Sequence, residues 1–207
     1  MKSFFSLFPK KSPRGFTLVE LLVTLALFTT VIVLATGALY SAQAINTKLQ
    51  QNQIILDGVS LAMEVMARDI RYGSGFYCAA ATTSPITSNL RTSCGGGNTI
   101  LVFKPSAPLS VSSPDNDRVA YYRSSDGIIY KQEYPAGVEG SLLQITTADV
   151  TVNALTFYLK GAEATPVDYD QPIVTISVSG ITNPTKVSVN PVTFTVQTSS
   201  ASRKLDN

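Results

Sequence analysis

The apolar positions fall into three regimes along the chain. Over residues 16–39 they are nearly continuous: FTLVELLVTLALFTTVIVLATGAL holds one charged residue, Glu20, and no proline. Beyond Leu39 the spacing changes. Ile45, Leu49, Ile55, Val59, Ala62, Met66 and Ile70 recur at steps of three, four or six, which puts them on one helical face. Gln43, Asn46, Lys48, Gln50, Asn52, Asp57, Glu64, Arg68 and Asp69 are left for the other faces. No proline interrupts either regime, so the pattern predicts one helix from about Thr17 to Tyr72, closed by Gly73-Ser74-Gly75. At 1.5 Å per residue such a helix is about 80 Å long. Gly37 and Gly58 weaken it, each by about 1 kcal/mol relative to alanine.

The third regime, residues 73–207, carries strand signals. Residues 99–104 (TILVFK) form a β-branched and aromatic run after Gly95-Gly96-Gly97, which reads as a flexible turn. Residues 118–123 (RVAYYR) and 128–133 (IIYKQE) flank Ser124-Ser125-Asp126-Gly127, whose Asp-Gly pair signals a hairpin. Further strands are expected at 142–145, 150–159, 173–178, 186–189 and 192–197. In the last, Val192, Phe194 and Val196 alternate with Thr193, Thr195 and Gln197, giving one buried face and one wetted face. Prolines 105, 108, 114, 135, 166, 172, 184 and 191 fall between strands or at their starts. The expected fold class is α+β, a long N-terminal helix packed on an antiparallel sheet, with a helix at 16–72 and a β-rich head at 73–207.

Residues 16–39 reach about 36 Å as a helix, enough to cross a hydrocarbon core of roughly 30 Å. Lys2, Lys10, Lys11 and Arg14 precede the run, and no acid accompanies them. The positive-inside bias then keeps the N-terminus cytoplasmic and exports the rest. A secretory signal peptide would use Ala42-Gln43-Ala44 for cleavage, but its apolar stretch is shorter and carries no carboxylate. A plain anchor leaves Glu20 unexplained, since an acid inside a spanning helix costs about 2.5–3.5 kcal/mol on insertion scales.

Basic residues, then Gly15, then Phe16-Thr17-Leu18-Val19-Glu20 and an apolar helix closely resemble the class III signal of type IV prepilins. The resemblance implies that a prepilin peptidase cuts between Gly15 and Phe16 and methylates the new Phe16 amine. Residues 1–15 would be the leader, leaving a mature chain of 192 of the 207 residues. It also implies a role for Glu20: a neighbouring subunit's ammonium lies beside it in the filament. The segment from Leu61 to Arg71, with Met66-Ala67-Arg68-Asp69-Ile70-Arg71, resembles that of PilW- and PulJ-type minor pilins and pseudopilins. So do the closing residues Val192 to Thr198 and Arg203. The implied function is that of a minor pilin in a type IV pilus, with a type II secretion pseudopilin, a tip adhesin or a DNA-uptake subunit as alternatives. The implied partners are prepilin peptidase, other major and minor pilins, the inner-membrane assembly platform and membrane lipid. The implied location is the bacterial inner membrane, single-pass with the head outside, and then the filament.

Composition narrows the chemistry. With no histidine there is no imidazole base for a serine or cysteine nucleophile, and two cysteines cannot build a Cys₄ zinc site. No catalytic residue, metal or cofactor is assigned. Cys78 and Cys94, just past the helix end, would pair in an oxidising compartment; the alternative is two free buried thiols. Asp115-Asn116-Asp117 invites a calcium reading, with Asp168 and Asp170 as further oxygens, but it lacks the remaining EF-hand positions and reads better as a solvated turn. Gly95-Gly96-Gly97 lacks the lysine of a phosphate-binding loop. Without its leader the chain carries 12 basic and 14 acidic side chains and no basic stripe, so no nucleic-acid site is assigned.

Overall fold

The structure, a computed structural model, describes residues 15–79, 90–163, 170–182 and 191–203, without the side chains of 51, 52 and 54–56. Helix α1 spans Leu18–Tyr72. Nine strands follow: β1 (Ser74–Ala79), β2 (Cys94–Asn98), β3 (Ile100–Lys104), β4 (Arg118–Arg123), β5 (Ile129–Tyr134), β6 (Leu142–Gln144), β7 (Val150–Lys160), β8 (Ile173–Thr182) and β9 (Thr193–Ala201). The class is α+β. The chain divides into two units between Lys48 and Leu49, inside the helix rather than at its end.

In the first unit every described residue is exposed, including Phe16, Leu18, Leu27, Val31 and Leu34. In the second unit the helix buries Val59, Ala62, Met63, Met66 and Ile70, at steps of three and four residues. Ile45 and Leu49, expected on this stripe, are instead exposed at 58% and 53%, and among the described side chains the first buried position is Gly58. The side chain of Ile55 lies outside the described residues.

The expected single sheet is two. One has the order β1-β3-β4-β5-β6 and the other β2-β7-β8-β9, and every pairing within them is antiparallel. Both contribute to one core. Phe76, Leu101, Phe103, Val119, Tyr121 and Ile129 from the first meet Val152, Leu155, Phe157, Leu159, Val174, Ile176 and Val178 from the second, together with the helix stripe. Alternation selects the residues: Leu101 and Phe103 face this core, while Ile100 and Val102 join Tyr77, Ala120 and Tyr134 in a smaller cluster. In β7 the inward residues change parity, from Val150 and Val152 to Leu155, Phe157 and Leu159. A register shift between Val152 and Ala154 absorbs the extra residue and keeps both segments facing in.

Several contacts fasten the helix end to the sheets. The Asp69 carboxylate accepts from the Tyr121 hydroxyl at 2.6 Å and from Lys131 Nζ at 2.7 Å. Burial, then the Asp69 charge, push the Tyr121 phenol well above its ordinary value, so it remains a donor. Ser200 Oγ donates to Ala67 O, Ser202 Oγ to Gly73 O and Arg203 N to Arg71 O. At Gly73 a Cβ would lie 2.6 Å from the Phe103 ring, so glycine is needed there for close approach. Phe103 in turn stacks between Phe76 and Tyr121, at centroid distances of 5.5 and 6.0 Å.

The expected hairpin joins β4 and β5, with Gly127 at φ 81° and its carbonyl accepting from Val152 N of the other sheet. Strand β5 starts one residue later than expected, β8 runs on to Thr182, and β9 starts at Thr193 and runs on to Ala201. Gly95-Gly96-Gly97, expected as a turn, lies within β2. Residues 186–189 lie outside the described residues. Cys78 of β1 and Cys94 of β2 form a disulfide, Cα–Cα 6.3 Å, that ties one sheet to the other. Met66→Ala, which empties a fully buried position between helix and sheets, is expected to lower unfolding stability by about 2–5 kcal/mol. Urea denaturation of the detergent-solubilised full chain would measure it.

Candidate functional site: the helix N-terminus

Three described residues precede the helix: Gly15, Phe16 and Thr17, all exposed, with Phe16 80% so. Among the described residues, nothing lies within 4 Å of where a Gly15 side chain would begin. Thr17 is the cap. Its Oγ1 accepts from the Glu20 N–H at 3.3 Å, and its carbonyl accepts from Leu21 N at 3.1 Å. Thr17-Leu18-Val19-Glu20 is the T-x-x-E spacing of a capping box, a signal that the sequence reading passed over. The cap satisfies an amide that has no partner within the helix, and it fixes the chain just ahead of Leu18.

Glu20 thus stands in the first helical turn, exposed. Its acidic side chain suits the positive end of the helix dipole. From there to Leu39 every side chain is apolar, threonine or glycine. The threonines return their hydroxyls to the backbone: Thr24 to Leu21 O, Thr29 to Ala26 O, Thr30 to Leu27 O and Thr36 to Ile32 O and Val33 O, at 2.7–3.0 Å. Such bonds leave no hydroxyl proton unmet in an apolar solvent. Among the described residues one helix segment, Leu18–Gln50, is long and apolar enough to cross a membrane.

In the acidic loop of the head the two aspartates have different surroundings. Asp117 is fully buried, and its carboxylate accepts from Leu109 N, Ser110 N, Ser110 Oγ and Ala136 N at 2.7–3.0 Å. Burial raises its pKa, but these four donors outweigh that and bring it down to about 2. The bond from Ala136 holds that residue in a left-handed conformation, φ 52°. Asp115 is instead exposed and pairs with Lys104 Nζ at 2.6 Å. Of the two further oxygens considered from sequence, Asp168 lies outside the described residues and Asp170 is exposed. Among the described residues no three acidic, cysteine or histidine side chains converge as metal ligands. Glu163 is likewise committed, accepting Ser93 N and Ser93 Oγ at 2.9 and 2.6 Å.

Residues 10–36 match the family model described as the prokaryotic N-terminal methylation motif. No curated protein and no solved structure matches the chain. The motif supports a protein of the type IV pilin-like class, pilin or pseudopilin, which is structural rather than enzymatic. It implies processing by prepilin peptidase and assembly with other pilins, and with the exposed apolar helix it fits membrane anchoring.

The Asp117 network carries its own prediction. The folded carboxyl titrates below the ordinary 3.8, so its stabilisation is present above about pH 4 and lost as pH falls toward 2. Asp117→Ala should lower stability by about 2 kcal/mol at neutral pH, with the difference from the parent shrinking between about pH 4 and pH 2. Parallel urea titrations at several pH values would show it.

Proposed function

We propose that this chain is a minor pilin of a type IV pilus, PilW- or PulJ-like in its head, incorporated through its N-terminal helix and helping to initiate or cap the filament. Residues 1–15 are the leader, 16–72 the helix with its spanning segment at about 16–39, and 73–207 the head. Prepilin peptidase removes the leader between Gly15 and Phe16 and methylates the Phe16 amine. The N-terminus faces the bacterial cytoplasm, the head lies beyond the inner membrane, and the assembly platform draws the subunit into the polymer.

One observation carries this reading: an exposed carboxylate, Glu20, on an otherwise apolar helix, four residues after Phe16 and within the matched motif. Cleavage makes an ammonium group at Phe16. With helices stacked at an axial offset, the ammonium of one subunit reaches Glu20 of the next, and each ion offsets the other's desolvation. A secretion pseudopilin would use the same chemistry. The helix-end segment, Met66 to Arg71, resembles that of minor pilins and of pseudopilins alike, and so supports the reading they share.

Glu20→Ala should leave cleavage and membrane insertion intact while lowering incorporation at least about tenfold, the effect of some 1.4 kcal/mol. Immunoblots of sheared surface filaments, set against the membrane fraction, would read both quantities. Undiminished incorporation would remove the charge-pairing role. Confinement of the unaltered chain to the envelope, with none in sheared pili, would remove the pilus assignment.

A further inference from the structure

β9 borders the four-stranded sheet and pairs with β8 from Thr193 to Ala201 without a register shift. Its peptide groups divide by parity. Just beyond the ladder, Ser202 N–H donates to Pro172 O at 2.9 Å and Thr182 N–H to Val192 O at 3.0 Å. Both bonds involve even-numbered residues next to β9, and bonded pairs alternate with non-bonded pairs in an antiparallel ladder. Phe194, Val196, Thr198 and Ser200 therefore bond to β8. The N–H and C=O groups of Thr193, Thr195, Gln197, Ser199 and Ala201 point off the sheet. Among the described residues no backbone hydrogen bond outside the ladder reaches these five, and all five are exposed.

The other sheet edges are blunted in ways that discourage pairing. β1 has a register shift between Ser74 and Tyr77 and a left-handed Gly75. β2 has a shift between Cys94 and Asn98, across three glycines. β6 has only three residues. β9 has no charge, no proline and no bulge. On its core side Val192, Phe194 and Val196 pack on the main cluster yet are only partly buried, so the apolar layer stops short at this edge.

We propose that the open edge of β9 is a strand-addition site, filled in the assembled polymer by an extended segment of a neighbouring subunit. This rests on the filament reading above. The five outward peptide groups require an extended backbone. Phe194 and Val196 require β-branched apolar side chains at alternate positions of the incoming strand, to complete the layer they leave open. Thr195, Gln197 and Ser199 match hydroxyl or amide side chains on its other face, as Ser199 already meets Thr175 across β8 and β9 at 2.8 Å. A charged strand would be desolvated against β9 with no counter-charge there to meet it. The occupant is thus an uncharged segment alternating β-branched apolar with Ser, Thr or Gln residues.

Hydrogen exchange resolved by residue, on the full-length protein in detergent micelles and again in isolated filaments, tests this. The amides of Thr195, Gln197 and Ser199 should exchange rapidly in micelles and at least about tenfold more slowly in filaments, whereas Val196 and Thr198 stay slow in both. The double variant Thr195→Pro, Gln197→Pro removes two outward donors and spares the bonds to β8. It should keep its circular dichroism and the protection of β8, and incorporate at least about tenfold less. Rapid exchange at 195, 197 and 199 within filaments, or full incorporation of the folded double variant, overturns strand addition and leaves filament membership standing. Absence of the unaltered chain from filaments overturns membership, and strand addition with it.

Discussion

A carboxylate among hydrocarbon side chains costs free energy until a cation meets it, and Glu20 occupies that position in the first turn of α1. The chain's only cations close in sequence are the leader residues Lys10, Lys11 and Arg14. On the proposed reading the leader is removed, and the cut that removes it creates a different cation at Phe16. That cation lies on the same helix but is met in trans, which turns a local liability into a requirement for a neighbour. The capping contact from Thr17 and the threonine hydroxyls folded back on their own helix have a complementary effect. They leave Glu20 as the one charged side chain of the apolar run without an intrahelical partner among the described residues.

Three carboxylates at the helix end and in the head follow a different rule and are satisfied from within the fold. Asp69 is met by Tyr121 and Lys131, Asp117 by four donors, and Glu163 by Ser93. Each joins segments distant in sequence, so these carboxylates fix loops and the helix end rather than bind a ligand. The disulfide and the shared apolar core do the same for the two sheets. On the proposed reading, what the head offers a neighbouring subunit is the long, regular edge of β9.

Much of this was legible in the sequence where the signal is local. The helix starts two residues after position 16 and ends at Tyr72 as expected, because an apolar run, an amphipathic stripe and Gly73 mark it without competition. Asp126-Gly127 placed its hairpin because a turn fixes register between adjacent strands. The division into two sheets was not legible. β2 pairs with β7, some sixty residues away, and three glycines disguise it as a loop. β1 was missed because Ser74-Gly75 reads as helix termination and breaks the strand pattern. Asp117 looked like a solvated turn residue, since its donors come from Leu109, Ser110 and Ala136, which only the fold assembles. At the candidate site the residues were legible as a motif. The capping role of Thr17 was equally available in T-x-x-E, and was obscured by reading Glu20 for its charge alone.

The most direct measurement is the mass and fragment sequence of the N-terminal peptide from protein purified out of bacterial membranes. The account predicts a chain that begins at Phe16 and carries one methyl group on its amine. A chain beginning at Met1, or at Ile45 after loss of the apolar segment, would contradict it.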